Sequence, residues 1–233
     1  MSIEESDYFK DVEDKFKNFL NKKQYAILRV DGKNFSKLTK EKFAGYPFDE
    51  NFNLCMKAVA QKLLQEVQGA IWAYVQSDEV SVCFSDKNKE NSELWFGGNV
   101  QKIVSVSAAQ STTSFMEMYS ALLKSYNFSI SFDARCFSLP DVADTHRYMT
   151  SRQINCIRNA SSMLAGKYFS HKELMGKSGR EKISMCVGKE LDWDNMNKHN
   201  KYGTLYFKKE REIICISDSN ISSHYLKETQ EAQ

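Results

Sequence analysis

The stretch Tyr25-Ala-Ile-Leu-Arg-Val-Asp-Gly-Lys-Asn-Phe-Ser36 constrains this chain more than any other. An apolar, strand-like run delivers one carboxylate, Asp31, to the point where Gly32 breaks the strand and frees the amides of Lys33, Asn34, Phe35 and Ser36 to face a ligand. An acid at a strand end, a glycine and exposed N–H groups suit a metal ion and its phosphate. A second acidic stretch, Gln76-Ser77-Asp78-Glu79, lies between the strand-like runs Ala70–Val75 and Val80–Phe84 and reads as the tight turn of an antiparallel hairpin. Taken singly, each stretch is better explained as ordinary turn chemistry. Their meaning depends on whether folding brings them together.

The order of elements says that it does. Phe9, Val12, Phe16, Phe19 and Leu20 form an apolar stripe over residues 4–22 and predict a helix docked ahead of the first strand. After that strand come a basic connection, a loop at Gly45-Tyr46-Pro47-Phe48, and a helix over residues 51–68 with Asp49 as cap and Gly69 as stop. The hairpin follows, then a long helix over 99–125 and an alternating segment, Phe128–Phe132, that reads as a half-buried strand. Strand, helix, strand, strand, helix, strand is the ferredoxin-like βαββαβ unit, an α+β fold with two helices covering one face of an antiparallel sheet. Its first and third strands are central neighbours, so Asp31 and Asp78 converge although 47 positions separate them. Polymerase palms and class III nucleotide cyclases are built on this unit, although fold alone does not settle function.

Residues 1–140 therefore read as a palm-like unit with an N-terminal helix, and 141–233 as a helical extension continuous with it. The extension contains helices over 142–164 and 180–187 and an edge strand pair, Tyr202–Phe207 with Ile213–Ile216.

Two carboxylates beside a backbone carbonyl suit Mg²⁺, which takes few protein ligands and keeps waters or phosphates. Asp31, Asp78 and the Gly32 carbonyl are the expected ligands of two such ions. The amides of Lys33, Asn34, Phe35 and Ser36, with the Ser77 hydroxyl, are expected to bind a triphosphate. Glu79 either orients water beside the metals or points to solvent at the hairpin tip. In the helix over 142–164, Arg152, Asn155, Arg158, Asn159 and Ser162 recur every three or four residues. That face either offers forked donors to phosphates or makes internal hydrogen bonds. His171 and Lys172, near Lys177, are candidate phosphate contacts, with a structural role the alternative for the histidine. Gly176-Lys177-Ser178 lacks the upstream glycine spacing of a P-loop.

The net charge of the 233 residues is only +2, but basic residues gather in three places, one of them Lys167, Lys172, Lys177, Arg180 and Lys182. Such patches fit a phosphate-bearing partner or are solvated faces. No apolar run approaches the ~20 residues of a spanning helix, and the acidic N-terminus does not resemble a presequence, so the cytoplasm is the expected location. Six cysteines without a C-x-x-C pair read as reduced core residues.

Arg29-Val-Asp-Gly-Lys-Asn-Phe35, Tyr74-Val-Gln-Ser-Asp-Glu79, Phe132-Asp-Ala-Arg135, Arg152-Gln153 with Arg158-Asn159, Tyr168–Leu174 and Tyr202-Gly-Thr204 together resemble the tRNA-histidine guanylyltransferase superfamily, the 3′-to-5′ polymerases. The resemblance implies that Asp31, Gly32 and Asp78 hold two Mg²⁺ ions, with Glu79 in the catalytic set, and that residues 31–36 with Ser77 and Asp78 bind the nucleotide. It implies ATP and GTP or other NTPs as substrates, tRNA as partner, and a homotetramer. Where the histidine-tRNA enzymes carry His-Ile-Asn-Asn-Leu-Tyr-Asn, this chain has Ile157-Arg-Asn-Ala-Ser-Ser-Met163, and Tyr46 replaces a lysine before Pro47. Those departures resemble the guanylyltransferase-like branch that repairs truncated tRNA 5′ ends. Arg152, Arg158, Asn159, His171, Lys172 and Lys177 are then the expected contacts of the RNA 5′ end and of activation. A nucleotide cyclase-like palm enzyme and a non-catalytic RNA-binding protein are the competing classes.

Overall fold

The computed structural model describes residues 3–87, 92–124, 128–209, 212–221 and 223–224. Strands β1 (Tyr25–Gly32), β2 (Ala70–Gln76), β3 (Glu79–Ser85) and β4 (Phe132–Leu139) form the expected unit, and β5 (Thr204–Lys209) and β6 (Glu212–Ile216) extend it. The result is one six-stranded antiparallel sheet in the order β4-β1-β3-β2-β5-β6. β1 and β3 are neighbours, with Asp31 opposite Glu79 in the ladder.

Alternation along the strands decides what each face does. Ala26, Leu28 and Val30 of β1, with Val80, Val82 and Phe84 of β3, face the core under α3 (Glu50–Glu66) and α4 (Val100–Leu123). The intervening residues face the opposite way, where Ile27, Trp72, Tyr74 and Cys83 pack with Met149 of α5 (Val142–Gly166). The sheet is thus covered on both faces. By the same parity Arg29, Asp31 and Glu79 look toward α5, which sets the chemistry of the site.

Local signals account for the helix boundaries. Asp49 accepts from the amides of Asn51 and Phe52 and starts α3, and the Asn99 side chain caps α4 through Lys102. The basic connection after β1 is itself helical, α2 (Phe35–Lys42), which periodicity over so few residues does not reveal. The fourth strand also lies later than its pattern suggested. Phe128 and Ile130 alternate like a strand and pack on the core, but the ladder with β1 begins only at Phe132. α1 (Ile3–Asp14) is shorter than expected and does not dock by its stripe: Phe9, Phe16 and Phe19 are exposed. The chain is tied down instead by Leu20, whose amide donates to the Gly98 carbonyl. In the extension, α6 (His171–Leu174), α7 (Gly179–Met185) and α8 (Lys198–Tyr202) follow α5. Ser178 forms a capping box with Glu181, so the Gly-Lys-Ser run is a helix start. All six cysteines are free and most are buried, but Cys215 on β6 is exposed.

Phe35 is the residue on which the site-bearing end of the sheet rests. It is 1% exposed and meets the rings of Phe52, Phe115 and Phe132 edge-on at 6.2, 5.2 and 5.0 Å. Its ring lies under Gly32, where a Cβ would stand 2.4 Å from the nearest ring carbon. Phe35→Ala is expected to lower stability by about 3–5 kcal/mol, read from urea unfolding. A loss below about 1 kcal/mol would mean that the aromatic cluster does not hold this end together.

Candidate nucleotide and metal site

The site grows from the end of β1. Gly32 donates its amide to the Asp78 carbonyl at 3.0 Å, which joins the strand end directly to the hairpin turn. Ser77 takes a left-handed conformation (φ 46°) in that two-residue turn, and its side chain hydrogen-bonds Asp78. Asp31 and Asp78, read from the sequence as a pair, are in electrostatic contact. β4 adds a carboxylate that sequence reasoning missed: Asp133 lies opposite Asp31 in the β1–β4 ladder and pairs with Arg135 at 3.0 Å.

This crowding raises the affinity of the acids for protons. Burial first, and then the charges of Asp78, Glu79 and Asp133, push Asp31 up to about 6. Asp78 is also raised, chiefly by burial. Two desolvated, mutually repelling carboxylates beside a backbone carbonyl are the oxygen donors that Mg²⁺ takes, and a cation relieves both causes of the shift. Among the described residues no three His, Cys, Asp or Glu side chains cluster as metal ligands. Two carboxylates suffice for an ion that keeps its waters and phosphate ligands.

Glu79 does not point to solvent. It is 7% exposed, and Arg152 of α5 grips it with a two-pronged ion pair, Nε to Oε1 at 2.7 Å and Nη2 to Oε2 at 2.5 Å. The Gln76 amide donates to Oε1 at 3.2 Å, and Arg29 stands 3.8 Å away. Arg152, expected at the RNA 5′ end, is therefore directed inward. Its charge is held against Glu79 because sheet parity turns that carboxylate toward α5. The interaction links the acidic sheet end to the helix lining the neighbouring cleft.

That cleft contains about 750 Å³ of space, part of it open to solvent. Ser36, Ser77 and Asp78 line it with Gln76, and Asn159, Ala160 and Met163 of α5 form the facing wall. Tyr46, Pro47, Phe48 and Phe52 supply an apolar side, and Asn53 and Asn200 complete it. The structure thus unites the phosphate-binding candidates Phe35, Ser36, Ser77 and Asp78 with Asn159. The Lys33 amide is occupied, donating to the Ser131 carbonyl at 2.9 Å, which removes it from the expected phosphate cradle. Asn34 is left-handed (φ 59°) and makes no side-chain cap, so the Phe35 and Ser36 amides open α2 without help from it. Arg158, His171, Lys172 and Lys177 are exposed and are not among the cleft-lining residues. Lys201 is 8% exposed, its ammonium donating to the Trp193 and Asp194 carbonyls. Asn53 and Asn200 gave no sequence signal, since isolated amides have no diagnostic spacing.

A βαββαβ sheet that brings paired acids to the ends of its two central strands defines a palm-type protein. Comparison with known proteins narrows this class. The family model for tRNAHis guanylyltransferase, Thg1, matches residues 6–140, and the chain belongs to that family. The probable tRNA(His) guanylyltransferase of Mus musculus is 26% identical over 134 residues, covering 57% of this chain and 43% of that protein. The chain therefore spans less than half the length of the mouse relative. The corresponding Drosophila melanogaster protein is 23% identical over 224 residues, with 88% of this chain and 77% of that protein covered. Among solved structures, a bacterial tRNA(His) guanylyltransferase (Thg1)-like protein in complex with ATP superposes with a TM-score of 0.88 at 28% identity, covering 97% of both chains. A bacterial Thg1-like protein in complex with GTP gives 0.80 at 25% identity, with the same coverage.

The raised acid values have a signed consequence. Because Asp31 lies at about 6 in the folded protein against an ordinary 3.8, its ionised form opposes folding, fully so above pH 6. In metal-free buffer at pH 7.5, Asp31→Asn is expected to melt a few degrees above the parent. The gap should close as pH falls through 6 toward 4, and millimolar Mg²⁺ should remove it. A variant that melts lower at every pH would show that Asp31 is stabilised by protein partners. Separately, Arg152→Met, which strips buried Glu79 of its two-pronged partner and leaves it only the Gln76 amide and Arg29 at 3.8 Å, is expected to cost up to about 3–5 kcal/mol in urea unfolding. Combining it with Glu79→Gln should recover part of that loss; additive losses would count against direct pairing.

Proposed function

We propose that the chain is a template-dependent 3′-to-5′ nucleotidyltransferase that adds nucleotides to the 5′ end of tRNA. The observation that carries this reading is the junction of the Asp31–Asp78 pair with the cleft lined by Ser36, Ser77 and Asp78. Asp31, Asp78 and the Gly32 carbonyl would hold magnesium, which supplies neutralisation of phosphate charge and activation of the attacking oxygen. The Ser77 hydroxyl and the Phe35 and Ser36 amides hold the triphosphate, with the helix start favouring its negative charge. The apolar side at Tyr46, Phe48 and Phe52 receives the base. Glu79, locked by Arg152, maintains the position of the hairpin that carries Asp78.

The reaction has two displacements. The RNA 5′-phosphate attacks the α-phosphate of ATP and releases pyrophosphate, forming a phosphoanhydride. The 3′-hydroxyl of the incoming NTP then attacks the RNA 5′-phosphorus, loses its proton and expels AMP. The exposed Arg158, His171, Lys172 and Lys177 lie on the extension beyond the cleft and receive the RNA end in this reading.

The observation that favours 5′-end repair is the Ile157–Met163 departure from the histidine-tRNA pattern. The names of the curated relatives favour the second reading, addition of G to tRNAHis. The test offers a 5′-truncated, 5′-monophosphorylated tRNA with ATP, Mg²⁺ and labelled NTPs, beside intact tRNAHis. Templated extension of the truncated RNA is expected, with a loss of at least about a hundredfold in Asp31→Ala and Asp78→Ala. Extension confined to tRNAHis would support the second reading. A cyclic product from NTP alone, or equal extension by both variants, would refute the assignment.

A further inference from the structure

The base-receiving part of the cleft contains a device that the family motifs do not describe. Asn53, in the first turns of α3, donates from Nδ2 to Oδ1 of Asn200 in α8 at 3.0 Å, across 147 positions of sequence. Both side chains are partly buried and line the cleft. A carboxamide offers one acceptor and two donor hydrogens. Once the two amides are joined, Asn53 Oδ1 and Asn200 Nδ2 have no other protein partner among the described residues. They form an acceptor and a donor presented together.

An amide pair has a second arrangement of the same quality. Rotating both amides reverses the joining bond, so that Asn200 donates to Asn53 and the presented acceptor and donor exchange places. Adenine and guanine differ in the same sense on their pairing edges. Adenine offers a donor at N6 beside an acceptor at N1, and guanine an acceptor at O6 beside a donor at N1. A pocket with one fixed amide favours one of these patterns, whereas a coupled pair serves both.

Resting on the nucleotide reading of this cleft, we infer that Asn53 and Asn200 act together as a reversible hydrogen-bonding pair that reads the base edge and admits adenine and guanine alike. Their separation in sequence places one partner on the palm and the other on the extension, so the reading of the base requires both parts of the chain. The rest of the pocket fits this division: Phe48 and Phe52 line the same cleft and offer a base apolar surface without regard to its hydrogen-bonding pattern, leaving the polar recognition to the amides.

The test is equilibrium binding of Mg·ATP and Mg·GTP, without RNA, to the full chain and to Asn53→Asp and Asn200→Asp. Either substitution is close to isosteric, keeps the remaining asparagine as donor to the new carboxylate, and leaves acceptors facing the base. Guanine, with its N1 and N2 donors, tolerates this; adenine N1 loses its donor. The added negative charge acts on both triphosphates alike, so the ratio of affinities isolates the base. The parent should bind both nucleotides within about tenfold, and each variant should shift the ratio toward GTP by at least about tenfold. Equal weakening of both nucleotides, or a shift toward ATP, would overturn the pair as a reader and leave it a tie between α3 and α8. A parent that binds neither nucleotide would overturn the nucleotide reading of the cleft, and this inference with it. Two variants on separate helices keep the test decisive if one of them fails to fold.

Discussion

Antiparallel pairing of β1 with β3 places Asp31 opposite Glu79 and beside Asp78, and the resulting concentration of negative charge is the constraint around which the rest is arranged. Like charges in a partly dehydrated sheet end oppose folding unless each finds a partner. The structure handles them differently. Glu79 is buried and held by Arg152 from the helix packed on that face, and Asp133 is paired with Arg135 at the surface. Asp31 and Asp78 remain as the desolvated pair whose values are raised. The fold thus distinguishes a paired, structural carboxylate from the two that the proposed function assigns to a cation.

The partition follows from strand parity. Residues alternating with the α3–α4 core face look toward α5, so the extension supplies the counter-charge for Glu79 and also the far wall of the cleft. Phe35 anchors the opposite side, its ring beneath Gly32 fixing where the strand gives way to α2. Palm and extension share one sheet, through β5 beside β2, and one site.

The sequence showed the elements whose signals are local and strong. The apolar run ending in Asp31-Gly32, the hairpin around Ser77-Asp78 and the Asp49 cap were readable, and their order implied which strands meet. What escaped depended on competition between similar patterns or on distant contacts. Phe128–Phe132 alternates as well as the true strand Phe132–Leu139, and only the ladder with β1 separates them. The stripe of Phe9, Phe16 and Phe19 has helical spacing, but spacing does not say whether a surface exists to receive it. Arg152 reads as a phosphate ligand because its partner, Glu79, lies 73 positions away, and helical spacing alone does not show which strand face an arginine meets. Asn53 and Asn200 acquire meaning only when the fold joins them.

The most direct test of the central claim is anomalous scattering from crystals grown with Mn²⁺ and a non-hydrolysable nucleoside triphosphate. The account places Mn²⁺ in contact with both Asp31 and Asp78 carboxylates at about 2.0–2.3 Å, with the triphosphate on the same ions and Glu79 still held by Arg152. Manganese bound elsewhere, or coordinated by Glu79 with the Arg152 pair broken, would contradict it.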